Sequence, residues 1–173
     1  MDWIIDFIEK NPSASATIFA TIVASIIAFL FQKGNLDLSR EKMEKELFKE
    51  FNERYDKLND SLEMLTDEMT IEDLKLEKFK IENKTLHNVV IDYFNLSAEQ
   101  YYWKQKERIS DEIWLAWNKG MMEYYKFPVV QQLWEKETLE DNYKSYYLKN
   151  GDALFKLYKK PNWIIRSWKK LTI

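Results

Sequence analysis

Ser13, Thr17, Thr21 and Ser25 place a hydroxyl at every fourth position of one short stretch. On a helix of about 3.6 residues per turn that spacing sets them along a single face. In lipid such a row either hydrogen-bonds across a helix interface or faces trapped water. Asp2, Asp6 and Glu9 precede it, so a ring of copies would carry acids at its mouth and favour cations.

Enzymatic chemistry finds little material. The lone His87 has Asn83 and Lys84 before it and Val90 and Ile91 after it at helical spacing, with no carboxylate or second His to share a metal. There is no Cys, hence no thiolate zinc site and no disulfide. The glycines stand alone at 34, 120 and 151, which excludes a glycine-rich phosphate loop. An RNase of the HEPN type needs an Arg four to six residues before a His, and none of Arg40, Arg54, Arg108 and Arg166 stands so relative to His87. Glu63, Asp67, Glu68, Asp111 and Glu112 lie near helix ends or on charged faces, where capping and solvation account for them. The expectation is a non-enzyme with no metal and no cofactor.

The elements that must position the hydroxyl row follow from composition. The chain has 173 residues, 46% hydrophobic and 32% charged, with net charge −3, three Gly and three Pro. So little turn punctuation predicts an all-α fold. It argues against a Rossmann enzyme, and the acidic balance argues against a basic DNA binder. Residues 11–32 carry no charge, and the mostly apolar run 13–31 reaches roughly 28 Å, enough to cross a bilayer core. The acidic start and the bulky end at Phe29, Leu30 and Phe31 do not fit a cleaved signal peptide. Only Lys10 precedes the run, whereas Lys33, Arg40, Lys42, Lys45 and Lys49 follow it, which predicts an outer N-terminus and a cytosolic C-terminal domain. The expected layout is an outer amphipathic segment at 1–11, a transmembrane helix at 12–33 and a cytosolic helical domain at 39–173. Asn11-Pro12 reads as the start of the span and Gly34-Asn35 as a break after it.

Side-chain size is sorted around the span. Ala16, Ala20, Ala24 and Ala28 form a second small row beside the hydroxyls, and Ile18, Ile22, Ile26 and Leu30 fill a bulky one. Small rows let helices approach closely, so the alanines are candidate oligomer contacts. Beyond the break, Phe48, Phe51, Tyr55, Leu58, Leu62, Leu65 and Met69 alternate steps of three and four, a heptad seam on a helix running to about 69. Its partner is either another copy of the chain, which makes 48–65 an oligomer contact, or the rest of the same domain.

Further helices are expected. Thr70 and Asp73 form a capping box ahead of a charged stretch at 71–82, and a helical face runs from Leu86 to about Lys106. Ser110 starts another helix, Pro128 a third, and shorter pieces cover 139–148 and 152–159, closed by Gly151 and Pro161. Nine aromatics, from Tyr101 through Trp117 to Trp134, crowd one third of the domain and suit a core or an intersubunit contact. The tail after Asp152 interleaves Lys156, Lys159, Lys160, Arg166, Lys169 and Lys170 with Tyr158, Trp163 and Trp168, a pattern for a solvated basic face, anionic lipid or RNA.

Two resemblances attach to these residues. The stretch 89–134, with Tyr93-Phe94-Asn95, Tyr101-Tyr102-Trp103, Glu112-Ile113-Trp114, Gly120 and Pro128, resembles a scattered bacterial family of single-span proteins with helical cytosolic domains, which names no activity. The whole layout resembles the small CRISPR-associated membrane proteins encoded beside type VI-B RNA-guided RNA nucleases. That resemblance implies a homo-oligomeric inner-membrane pore that depolarises the cell and strengthens antiviral defence, with the nuclease system as a partner. It also brings an ascribed HEPN relationship, but no Arg-His spacing here matches it and no catalytic residue carries over. Alternatives are a non-pore membrane scaffold recruiting a cytosolic partner, or a membrane-tethered, HEPN-like RNA-binding or ribonuclease protein.

Overall fold

In a computed structural model, which describes residues 2–76, 84–149 and 154–156, the elements are helical. Five α-helices follow in order: α1 Asp2–Lys10, α2 Pro12–Leu62, α3 Leu86–Gln105, α4 Asp111–Tyr125 and α5 Pro128–Glu137. The chain divides into two units, residues 1–43 and 44–173.

The first unit holds α1 and the apolar part of α2. Only Asn11 separates the two helices, and the Asn11 and Ser15 amides donate to the Phe7 and Asn11 carbonyls across the junction. The Asn11 side-chain amide donates back to the Phe7 carbonyl at 3.2 Å, closing α1. Pro12 occupies the first position of α2, where its missing N–H costs nothing. The break expected at Gly34-Asn35 does not occur, since α2 runs on without interruption to Leu62. Both residues are weak helix formers, but the sequence offers no proline between 12 and 128 to force a stop, and strong helix formers flank the pair.

In the second unit α2 ends earlier than the seam predicts. The Met64 and Leu65 amides turn to the Ser61 and Leu62 carbonyls, tightening the last turn. The Thr70–Asp73 capping box forms reciprocally, with the Thr70 amide and hydroxyl both donating to Asp73 Oδ2 and the Asp73 amide donating back to Thr70 Oγ1. It opens only a single 3-10 turn, Asp73–Lys75. Residues 77–83, where the charged stretch continues, lie outside the described residues. Thr85 and Ser110 accept from the third residue onward and cap α3 and α4. Where a helix is expected over 139–148, the chain makes a 3-10 helix, Asn142–Tyr146, stopped by Tyr147 in the left-handed region at φ 58°. Asn150-Gly151, most of 152–159, Pro161 and the basic tail beyond Lys156 lie outside the described residues.

The pairing of helices can be read from their polar contacts. Ser110 N–H donates to Glu44, Trp117 Nε1 to Asn52 Oδ1 at 3.1 Å, and Tyr124 O–H to Asn59 Oδ1 at 2.9 Å. Residue numbers rise together in these pairs, so α2 and α4 run parallel. Between them in sequence, α3 runs the other way: Arg54 meets Glu99, Tyr101 packs on Trp114, and the Tyr93 hydroxyl donates to the Met121 carbonyl at 2.6 Å. α5 closes the core through Trp134, whose ring sits edge-on to Phe94 at 4.9 Å and to Phe155 at 4.8 Å. Leu62, Leu86, Val90, Phe94, Val130 and Leu133 are fully buried there.

Candidate functional site

The least conventional feature of the first unit is its surface. An 18-residue window of α2 reaches a mean hydropathy of 2.2 with none of it buried, and the helix is long and apolar enough to cross a membrane. Phe19, Phe29 and Phe31 are 70%, 67% and 72% exposed. A core helix of a water-soluble domain would bury such a stripe, since each of these side chains gains about 1.5–3 kcal/mol by leaving water. Here the apolar residues encircle the helix, the pattern of an element with an apolar solvent.

The hydroxyl row lies on this helix and is satisfied within it. Thr17 Oγ1 donates to the Ser13 carbonyl at 2.9 Å, Thr21 Oγ1 to Thr17 at 2.8 Å, and Ser25 Oγ to Thr21 at 2.8 Å. Each proton is thereby used on the preceding turn, so the row meets its surroundings chiefly with oxygen lone pairs. Ser13, Thr17, Thr21 and Ser25 are exposed, as are Ala16, Ala20, Ala24 and Ala28. On α1, Asp6 pairs with Lys10 at 2.9 Å, both largely exposed, and Glu9 is exposed; the side chain of Asp2 lies outside the described residues.

The seam residues fall in the second unit, where the structure pairs them within the chain. Phe51, Leu62 and Leu65 are buried, with 1%, 0% and 5% exposure. Tyr55 and Leu58 are half-buried, Tyr55 lying 6.5 Å from Tyr124 between ring centroids. Phe48 keeps 42% exposure while stacking on Trp117 at 6.0 Å. Of the two partners left open for this seam, the rest of the same domain covers most of it. Most of the aromatic group has the same use: Trp114 and Trp134 belong to the core, and Tyr101, Trp103, Trp117, Tyr124, Tyr125 and Phe127 pack against it. His87 is half-buried on α3.

The sequence reading missed the polar clamps. Asn52 and Asn59 sit seven residues apart beside the seam, opposite Trp117 and Tyr124, which are also seven apart. Matched heptad spacing on two segments was the available signal. Arg54 was likewise passed over; it makes two hydrogen bonds to Glu99, at 2.6 and 2.9 Å, and a longer one to Glu50. The hydrogen bond to Glu99 raises its pKa further above the ordinary guanidinium value. Burial pushes the phenols of Tyr55, Tyr93 and Tyr146 up.

Comparison with protein-family models, with curated proteins and with solved structures finds no match. The functional reading therefore rests on the residues themselves.

Proposed function

We propose that this chain is a single-span membrane protein whose copies assemble into a pore that depolarises the bacterial inner membrane, as an accessory effector of CRISPR antiviral defence. The supporting observation is the apolar window of α2, none of it buried and at a mean hydropathy of 2.2, with a row of hydroxyls along it. In this reading residues 12–33 span the bilayer, the N-terminus is outside, and the basic residues from Lys33 to Lys49 hold the second unit in the cytosol. The alanine row packs neighbouring spans, and Phe48 adds an intersubunit contact outside the bilayer.

Helices about 10 Å across, spaced 8 to 10 Å apart, enclose a water-sized lumen only in rings of about five or more. Ser13, Thr17, Thr21 and Ser25 line that lumen, because an all-apolar constriction dewets. The protons of Thr17, Thr21 and Ser25 are spent on the helix backbone, so these three offer lone pairs to passing cations, and Asp2, Asp6 and Glu9 stand at the mouth. The same back-bonding supports a second reading. Hydroxyls already satisfied do not require water, so the row also suits a dry helix contact in a membrane scaffold that recruits a cytosolic partner.

Ion leakage from liposomes separates the two. Wild type is expected to leak, and replacing Thr17 and Thr21 together with Leu to suppress leakage while cross-linked oligomers persist. Undiminished leakage in that double variant removes the lining. A wild type that never leaks, even in the presence of its nuclease system, leaves the scaffold.

A further inference from the structure

Apart from the apolar helix, the described residues form an open groove of about 560 Å³ between α2 and α3. Its floor is apolar, formed by Leu58, Val89 at 4% exposure and Leu96 at 2%, with the buried Ser61 beside them. The antiparallel register fixes what stands at each end. Arg54 meets Glu99 at 2.6 Å at one end, and Lys84 meets Asp92 at 2.5 Å at the other. Asp92 and Glu99 are seven residues apart on α3, about 10 Å along the helix.

Both acids of the lining are thus held by a cation, and Lys57 is left over. It makes no ion pair among the described residues, and the register that sets Arg54 against Glu99 brings Lys57 opposite Asn95 at the middle of the groove. The lining sums to three cations against two acids, while the whole chain carries −3. We infer that this groove is a binding site for a small organic anion, one carboxylate or phosphate group joined to an apolar body. Its charged group lies between the Lys57 ammonium and the Asn95 amide, and its body covers Leu58, Val89 and Leu96. The volume falls within the range of about 300–1,000 Å³ for small-molecule sites, and the polar side chains of the lining surround the apolar floor of Leu58, Val89 and Leu96. A cation would meet Lys57 unshielded. A nucleic-acid strand needs a run of free cations along its backbone, and with Arg54 and Lys84 paired the lining offers Lys57 alone.

The test is ligand-observed NMR on the full chain in lipid nanodiscs, with empty nanodiscs as the blank. The probes are hexanoate, phenyl phosphate and inorganic phosphate. Saturable binding of hexanoate or phenyl phosphate is expected, weaker binding of inorganic phosphate, and a loss of at least about tenfold in Lys57→Glu. Lys49→Glu makes the same charge change elsewhere on α2 and should stay within about twofold. The preferred probe tells a lipid-like carboxylate from a phosphate ester. Equal losses in the two variants, inorganic phosphate binding as tightly as phenyl phosphate, or no saturable binding up to about 10 mM would overturn the site. Lys57 is exposed, and the near-ultraviolet circular dichroism of Lys57→Glu should match wild type, which separates lost binding from lost folding.

Discussion

Phe29 on α2 and Phe94 on α3 are the same side chain in opposite settings, one 67% exposed and the other at 0%. Around Phe94 the chain supplies every neighbour itself: Tyr93, Trp134 and Phe155 lie within 4.9 to 5.8 Å between ring centroids. Around Phe29 the described residues leave most of the ring uncovered, and Ile26, Ile27, Leu30 and Phe31 expose comparable apolar surface beside it. Hydrophobic surface drives folding where the chain can cover it and drives association or insertion where it cannot. The second unit is therefore stabilised by its own packing, whereas the described residues leave the apolar surface of the first uncovered.

The sharpest contrast comes from truncating each phenylalanine. Phe94→Ala should cost about 3–5 kcal/mol, because the deleted ring leaves a cavity among neighbours that cannot collapse into it. Phe29→Ala should shift the same transition by less than about 0.5 kcal/mol. Urea unfolding of the full chain in mild detergent, followed by tryptophan fluorescence, reads both. Comparable shifts would mean that the unfolding of the second unit depends on the Phe29 ring as much as on Phe94.

A charge placed in the apolar window tests its surroundings. Ile22→Arg should raise the cost of membrane insertion by about 2.5–3.5 kcal/mol, the penalty for Arg at a helix centre. The protein should move from the membrane pellet toward the supernatant after carbonate extraction. Near-ultraviolet circular dichroism of the core aromatics should stay as in wild type. An Arg variant that remains wholly in the pellet would show that this stretch does not occupy hydrocarbon.

How much of this was legible differs between the two regions for a physical reason. In the first unit the decisive property is one-dimensional. A charge-free run and a spacing of four can be read directly from residues 11–32, and the helix stands where they place it. In the second unit the helix starts were legible wherever a cap fixes them, as at Thr85, Ser110 and Pro128. Helix ends were not: Gly34-Asn35 was absorbed into α2, and the piece after Leu139 tightened into a 3-10 helix. Termination depends on what tertiary neighbours permit, and local propensity of about 1 kcal/mol is easily overridden. The seam was visible as a period, but the period is the same for a partner helix in trans and for α4 in cis. Only the Asn52–Trp117 and Asn59–Tyr124 contacts decide how most of it is used.

Alkaline pH should separate the regions again. Burial pushes the Tyr93 phenol up, so the folded chain holds a proton that the unfolded chain releases near pH ~10. Above that point the unfolded state binds fewer protons, and stability falls as pH rises; below it the contribution is complete. Tyr93→Phe should cost about 1 kcal/mol at neutral pH through loss of the bond to the Met121 carbonyl, and should flatten the alkaline decline. Urea midpoints at about pH 7 and above pH ~10 check this. The apolar run 13–31 carries no titratable side chain, so membrane retention should not change across that range. A decline as steep in Tyr93→Phe as in wild type would assign the alkaline loss to Tyr55 and Tyr146 instead.

The smallest effect is expected at Gly34, where α2 runs through a residue that the sequence alone reads as a stop. Nothing lies within 4 Å of a methyl group added there, and the backbone is helical. Alanine in a helix interior is favoured over glycine by about 0.5–1 kcal/mol, because glycine gives up more backbone freedom on folding. Gly34→Ala should therefore raise the helical signal of the full chain slightly and leave the unfolding midpoint of the second unit unchanged. Were Gly34 instead ending one helix in the left-handed region, the same methyl group would cost about 1–2 kcal/mol and lower that signal. The sign of a small change thus decides whether α2 runs through Gly34 without a break.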